Sequence, residues 1–218
     1  MAAKKPRKPR VVSERRASAP EGPIAVIDVG STAIRLVVGE AQAGGEIRVI
    51  EEASRGVQLG KDTFTTGRIS AATLEATLKA MEGFRHIMDT YGVARCRAVA
   101  TNAIREASNS ETVLDRIRLR TGIEVEVIDG AEENRLTYMA VRRVMGTHDA
   151  LQHGNTLIVE VGGGNADISF LRDGEPAVSG NYPLGALRMR QIHASWHGPH
   201  EQRVRLLARH IGNVVHDI

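Results

Sequence analysis

One short pattern occurs twice in this chain, and it constrains the fold more than any other feature. Residues 26–32 and 158–164 each contain an apolar strand that ends at a carboxylate, then one apolar residue and a glycine turn. A second apolar strand follows each turn. The two carboxylates, Asp28 and Glu160, are 132 positions apart. Since internal similarity of this kind marks a repeated structural unit, the sequence predicts two related α/β lobes that face one another across a cleft.

The first lobe is predicted over residues 22–146. Its opening run, 24–38, is β-rich on both sides of a Gly-Ser-Thr turn, which predicts a hairpin. The polar, glycine-containing segment 54–68 predicts a loop, and Ser70 is the expected N-cap of a helix that ends near residue 91. The other predicted elements of this lobe are strands at 47–51, 96–100 and 124–128, helical stretches within 101–120, and a helix at 131–145.

The polar stretch 146–155 is the predicted boundary, and residues 155–218 are predicted to begin a second lobe. About 60 residues are few for a lobe with its own core, so its sheet is expected to expose an edge. The rest of such a lobe could belong to a longer protein or come from a partner, such as a second copy in a homodimer. The predicted elements are strands at 156–161, 167–171 and 176–179 and helices at 187–196 and 201–211.

Charge is distributed unevenly along the chain. The net charge is +3, but residues 1–20 carry seven basic side chains and one acidic side chain, so the remainder is net acidic. Prolines and the scarcity of large apolar residues predict that the basic tail, 1–21, is disordered. Such a tail could hold an anionic polymer by charge, or it could serve only as a solubilising leader.

Composition excludes several classes of protein. The single cysteine, Cys96, rules out an internal disulfide framework and a multi-cysteine zinc site, and its place in an apolar strand predicts a packing role. No apolar run approaches the roughly 18 residues of a membrane span, so a cytoplasmic protein without membrane partners is expected. Aromatic residues make up 3% of the chain, which argues against stacked-ring platforms and against a specific nucleic-acid partner.

Both glycine turns are suited to binding phosphate. A strand that ends in glycines exposes backbone N–H groups, and the hydroxyls of Ser31 and Thr32 can add further donors. Asp28 and Glu160 would repel a phosphate directly, but they suit Mg²⁺ held mainly through water. The alternative for Asp28 is a carboxylate that caps its own turn.

Two further polar segments stand at predicted helix starts. Spacing does not choose between Glu132 and Glu133 as a base that takes a proton from water, and either could simply complement the helix dipole. Arg105 could clamp a phosphate or a carboxylate, or it could be an ordinary surface arginine. Arg35, inside an apolar strand, must either pair with an acid or face solvent.

Five blocks of this sequence occur in the order seen in the exopolyphosphatase/guanosine pentaphosphate phosphatase (Ppx/GppA) family, and over about residues 22–195 the chain resembles that family. The resemblance implies the actin/Hsp70/sugar-kinase type of fold, with two ribonuclease H-like lobes and a cleft between them. It also implies Mg²⁺-dependent hydrolysis of a terminal phosphoanhydride in inorganic polyphosphate or guanosine pentaphosphate, and the sequence does not choose between these substrates. The blocks are residues 27–31, 100–105, 130–136, 159–164 and 183–185.

The resemblance also implies roles for individual residues. Glu133, the second glutamate of its pair, resembles the catalytic base of the family, and Arg105 resembles the arginine that contacts the polyanion. Asp28 and Glu160 resemble the acids that organise the metal, and Asp167 falls where a further acid of that set is usually a glutamate. The residues that resemble the phosphate cradles are Gly30, Ser31, Gly163, Gly164 and Asn165.

The chain departs from the family pattern in both turns. Thr32 and Ala33 stand where the family usually has Asn and Ser, so one side-chain donor is lost. Glu160 stands where the family usually has Asp, and Asp167 stands where it usually has Glu. Each acid therefore differs in length by one methylene. A displacement of about 1 Å can cost on the order of 100-fold in rate, so a weakened enzyme that only binds polyphosphate or the alarmone is an alternative. An actin-fold sugar or acetate kinase is a further alternative, although no adenosine motif supports it.

Overall fold

The computed structural model describes residues 22–42 and 45–216, so the predicted basic tail lies outside the described residues. Two sheets organise the described chain, one of five strands and one of three strands. We call each sheet with its helices a lobe. No helix within these residues combines the length and the apolar character needed to cross a bilayer.

The five-stranded sheet of the first lobe has the order β3-β2-β1-β4-β5. Antiparallel pairing joins β3, β2 and β1, which confirms the predicted hairpin, and parallel pairing joins β1, β4 and β5. Parallel strands bring their carboxyl ends to one edge of a sheet, and that edge carries the first glycine turn. The strands are β1 (Ile24–Val29), β2 (Ala33–Ala41), β3 (Ile47–Gly56), β4 (Arg95–Ala100) and β5 (Val125–Val127).

Helices cover this sheet and bury its core. The longest begins as predicted, because the hydroxyl of Ser70 accepts a hydrogen bond from the Thr73 N–H. Its Phe84 and Met81 are fully buried against the strands, together with Ile27 of β1. The helices of the first lobe are α1 (Leu59–Thr66), α2 (Ala71–Thr90), α3 (Asn102–Arg105), α4 (Ser110–Thr121) and α5 (Gly130–Met145).

The predicted loop at 54–68 is wrong, since β3 continues to Gly56 and α1 follows. Tertiary hydrogen bonds start this helix: the N–H groups of Val57 and Gln58 donate to the carbonyl of Thr32. Gln58 has a φ of 56°, a left-handed conformation that a non-glycine residue seldom adopts. The sequence did not predict α1 because the helix is mostly polar and only a short face of it is buried.

Cys96 also departs from its prediction, because its side chain is exposed rather than packed. The first three residues of β4, Arg95 to Arg97, are exposed, and burial begins only at Ala98. An apolar strand therefore does not by itself place each of its residues in the core.

The second lobe contains an antiparallel sheet of order β6-β7-β8. Its last helix extends to His216, beyond the predicted end at 211. The elements are α6 (Asp149–Gln152), β6 (Asn155–Val161), β7 (Ala166–Arg172), β8 (Glu175–Tyr182), α7 (Ala186–Ser195) and α8 (His200–His216).

The two hairpins of the repeat have the same backbone geometry. The Gly30 N–H donates to the Ala33 carbonyl at 3.1 Å, and the Gly162 N–H donates to the Asn165 carbonyl at 2.9 Å. Gly30 and Gly162 are 132 positions apart, as are Asp28 and Glu160. The repeat in the sequence is therefore a repeat in structure.

One face of the second sheet is poorly covered. Leu157, Val159 and Val161 of β6 are 61%, 52% and 61% exposed, whereas Ile27 and Val29 of β1 are fully buried. Within the described chain, β6 has a partner strand on one side only. The exposed edge expected from the sequence is present, while the predicted homodimer stays a prediction.

Candidate active site

A cleft of about 660 Å³ lies between the lobes and contains nearly all of the predicted site residues. Both glycine turns and the start of α5 contribute to its walls. The lining includes Asp28, Gly30, Ser31, Thr32, Glu133, Glu160, Gly163, Gly164, Asn165 and Asp167. Of the predicted set, only Arg105 lies behind the wall rather than in it. The structure therefore brings together residues that are far apart in sequence.

The carbonyl groups of both turns are held by the start of a helix. The Gly60 N–H at the start of α1 donates to the Ser31 carbonyl at 2.8 Å. In the second lobe, the Leu187 and Arg188 N–H groups of α7 donate to the Gly163 carbonyl at 2.9 and 3.0 Å. No backbone carbonyl in the described part of the chain accepts from the N–H groups of Ser31, Gly163 or Gly164. Their N–H groups are therefore free to bind an anion.

Glycine is required where the two turns meet. A Cβ atom at Gly163 would lie 3.2 Å from Cβ of Ser31 and 3.2 Å from Cγ2 of Thr32, which belong to the other lobe. A Cβ atom at Gly164 would lie 2.7 Å from the ring of Phe64. The absence of side chains thus lets the turns approach closely enough to contact one ligand together.

Asp28 and Glu160 open onto the same cleft. Burial raises the pKa of Asp28, Arg35 across the hairpin opposes that rise, and the Glu160 charge adds to it. The Asp28 carboxylate lies 3.6 Å from the guanidinium of Arg35, so this arginine both pairs with an acid and faces solvent. No hydrogen bond within the described residues links the Asp28 side chain to its own turn, contrary to the capping alternative. Thr137 holds Glu160 by donating to Oε2 at 2.7 Å.

A chain of asparagine side chains joins the lobes beneath the cleft. The amide of Asn165 donates to Asn102 of the first lobe at 3.0 Å and also to Asn181. Asn181 in turn donates to Oδ1 of the buried Asp167. Burial raises the pKa of Asp167, and this hydrogen bond opposes the rise. Sequence reasoning missed Asn102 and Asn181, and the only signal was the position of Asn102 in the 100–105 block.

The two adjacent glutamates of α5 have opposite environments. Glu132 accepts hydrogen bonds from Arg135 at 2.6 and 2.9 Å, which lowers the pKa of Glu132 to about 2. Glu133 points into the cleft, and its buried Oε2 has no hydrogen-bond donor in the described chain. Burial, followed by the charge of Asp167, raises the pKa of Glu133 to about 7. Of the pair, only Glu133 combines access to the cleft with a pKa suited to proton transfer.

Arg105 is not an ordinary surface arginine. Its guanidinium donates to the carbonyl of Ile128 and to the side chain of Asn102, and it lies 3.8 Å from the carboxylate of Glu133. This cation lowers the pKa of Glu133, against the effect of burial. Arg105 therefore supports the wall of the cleft from behind.

The acids of the cleft suit a cation that keeps much of its water. No group of three described His, Cys, Asp or Glu residues forms a ready cage for a metal. Yet Asp28, Asp167 and Glu133 each have a pKa raised in part by the charge of Glu160. Such mutual repulsion favours a bound cation, and Mg²⁺ typically uses one or two carboxylates together with phosphate oxygens and waters.

Comparison with known proteins agrees with this architecture. The model of the Ppx/GppA phosphatase family matches residues 36–218. The chain belongs to this family. Exopolyphosphatase 1 of Mycobacterium tuberculosis is 34% identical over 184 residues, which are 84% of this chain and 52% of that protein. The chain thus spans about half the length of the curated Ppx/GppA relatives it matches.

Solved structures of the family extend the agreement to the fold. An exopolyphosphatase from Cytophaga hutchinsonii has a TM-score of 0.77 at 25% identity. The matched region covers 88% of this chain and 60% of that protein's chain. The Ppx/GppA enzyme of Aquifex aeolicus has a TM-score of 0.69 at 28% identity. The matched region covers 90% of this chain and 64% of that enzyme's chain. The predicted actin-like α/β fold is confirmed.

Proposed function

We propose that this chain carries the catalytic cleft of a phosphatase that removes the terminal phosphate of inorganic polyphosphate or guanosine pentaphosphate. The observation that carries the proposal is Glu133. Its carboxylate lines the same cleft as two glycine turns with free N–H groups and has a pKa of about 7. A base with that pKa is half ionised at neutral pH. The ionised form is therefore well populated, and it is still basic enough to favour proton transfer from water.

The cleft suggests how the reaction proceeds. The N–H groups of Ser31, Gly163 and Gly164 bind the terminal phosphate and orient it. Glu133 takes a proton from a water molecule as the water oxygen bonds to the terminal phosphorus. The bond from that phosphorus to the bridging oxygen breaks, and the shortened chain leaves with the bridging oxygen.

Asp28, Glu160 and Asp167 are the residues that would hold Mg²⁺, mainly through waters. When bound, the ion neutralises phosphate charge and stabilises the transferring phosphoryl group. The three acids otherwise repel an incoming polyanion, so their position beside the phosphate-binding turns supports a role for a cation.

The direct test compares Glu133→Gln with Glu132→Gln, a matched change one residue away. Orthophosphate release from long-chain polyphosphate and from guanosine pentaphosphate would be measured with and without Mg²⁺. We expect Glu133→Gln to lose at least about 100-fold in kcat while still binding substrate, and Glu132→Gln to stay within about threefold of the unchanged chain.

Equal turnover in Glu133→Gln and the unchanged chain would remove the proposed base. Tight substrate binding by the unchanged chain without any phosphate release would instead select the alternative of a binding module that has lost catalysis.

A further inference from the structure

A second cavity adjoins the cleft in the groove between α1 and α7. Its volume is about 380 Å³, and it shares Thr32 and Leu187 with the cleft. A hydrogen bond of 3.4 Å from Thr65 of α1 to Gln191 of α7 spans the groove. The second cavity therefore lies next to the first glycine turn, with Thr32 in the wall that the two cavities share. The rest of its lining is Gln58, Lys61, Arg190, Gln191 and Ala194.

The two cavities differ in charge. Four carboxylates and one cation, Arg35, line the cleft, whereas two cations, Lys61 and Arg190, and no carboxylate line the second cavity. Neither cation has an ion pair within 4 Å in the described part of the chain. Asp62, the neighbour of Lys61, accepts a hydrogen bond from the Ser70 N–H at 2.9 Å and so is engaged at the start of α2. Both cations are therefore available to an anion.

We propose that this second cavity is a subsite for the downstream phosphates of a polyphosphate chain, which Lys61 and Arg190 contact while the terminal phosphate lies in the cleft. The inference rests on the proposed function. A polyphosphate carries negative charge along its whole length, so the part that extends beyond the acid-lined cleft needs a cationic path. Phosphate oxygens accept strong, charge-assisted hydrogen bonds from lysine and arginine.

The lining also favours a phosphate chain over a nucleoside. No aromatic side chain lines the second cavity, and its apolar contribution is limited to Leu187 and Ala194. A guanine base would bind more favourably where a ring could stack on it. The polar amides of Gln58 and Gln191 instead supply donors for phosphate oxygens.

The test uses the double variant Lys61→Gln/Arg190→Gln and the charge-matched control Lys79→Gln/Arg172→Gln. The control residues are exposed and line neither cavity. Every variant, including the reference chain, would also carry Glu133→Gln, which is expected to bind substrate without turnover. Binding of long-chain polyphosphate and of tripolyphosphate would be measured by equilibrium dialysis with Mg²⁺ present. We expect the test variant to bind the long chain at least about tenfold more weakly and tripolyphosphate within about twofold of the reference chain. The control should match the reference chain for both ligands.

Unaltered affinity of the test variant for the long chain would overturn the subsite. An equal loss for both chain lengths would overturn it as well, because a general charge effect does not depend on length. Dialysis does not require turnover, so failure of the unchanged chain to release phosphate would contradict the proposed function while the length comparison still decided the subsite. All lysine and arginine side chains changed are exposed, so folding should persist, and circular dichroism would verify it.

Discussion

Glu160 and Asp167 lie directly opposite one another across the β6–β7 hairpin. The same register in the β1–β2 hairpin pairs Asp28 with Arg35. The two lobes thus share one backbone frame but differ in charge at one position, where an acid replaces a base. Negative charge is consequently concentrated in the second hairpin, and there it adds to the effect of burial in raising the pKa of Glu133, the proposed base.

The pH dependence of activity should report the ionisation of Glu133. Burial raises its pKa to about 7, and only the ionised form can accept a proton. We expect kcat/KM to fall about tenfold for each pH unit below that value and to level off above it. Initial rates of phosphate release between pH 5 and pH 9 would measure this. A profile that is flat through neutrality would contradict the assignment.

The stability of Glu133→Gln should exceed that of the unchanged chain at alkaline pH. The folded pKa of Glu133 is raised from 4.5 to about 7, so its contribution to stability is complete below the unfolded pKa and is lost as the pH rises through 7. Glutamine does not ionise and avoids this loss. We expect the variant to gain on the order of 1–3 kcal/mol in free energy of unfolding at pH 8 and little at pH 4.

Urea titrations at both values of pH would measure the difference. Glu132→Gln is the control and should show no such gain, because Arg135 lowers the pKa of Glu132 rather than raising it. A Glu133→Gln chain that is less stable than the unchanged chain at pH 8 would argue against a carboxylate whose ionisation is opposed by burial.

Replacing Asn181 should disturb the cleft through Asp167. Asn181 donates to the Asp167 carboxylate and accepts from Asn165, so Asn181→Ala removes the donor that helps to keep this acid ionised. We expect a higher Mg²⁺ concentration for half-maximal activity and a rate lower by about 10- to 100-fold. The control is Asn155→Ala, at the exposed start of β6. Loss of activity without any change in Mg²⁺ dependence would show that Asn181 is only structural.

Gly185 holds the second turn by close backbone contact. A Cβ atom there would lie 2.2 Å from the carbonyl carbon of Gly164 and 2.4 Å from the nitrogen of Asn165. We expect Gly185→Ala to lower the free energy of unfolding by about 3 kcal/mol or more, because backbone cannot move aside as a flexible side chain can. Thermal unfolding would measure the effect.

Gly212→Ala in α8 is the matched control for Gly185→Ala. A Cβ atom at Gly212 would meet nothing within 4 Å. This change should therefore be neutral or stabilising by about 0.5–1 kcal/mol, because alanine is the better helix former. Equal stability of the two variants would mean that α7 and the turn are not packed as described.

Local features of the sequence were sufficient for much of the fold. The spacing of acids and glycines in the repeat, together with β-rich flanks, predicted both hairpins. A serine followed by apolar residues at helical spacing predicted α2. These signals succeed because hydrogen bonds and burial within a short segment determine the structure of that segment.

Other features were decided only by tertiary structure. Helix α1 starts from hydrogen bonds to the Thr32 carbonyl, and Asn181 meets Asp167 only because β7 and β8 pair. Glu132 and Glu133 are the same residue type at neighbouring positions, and no local pattern separates them. The Glu132 side chain contacts Arg135 and solvent, whereas the Glu133 side chain points into the cleft between the two lobes. A pKa depends on the charges and the burial around a group, so residues distant in sequence determine which glutamate can act as a base.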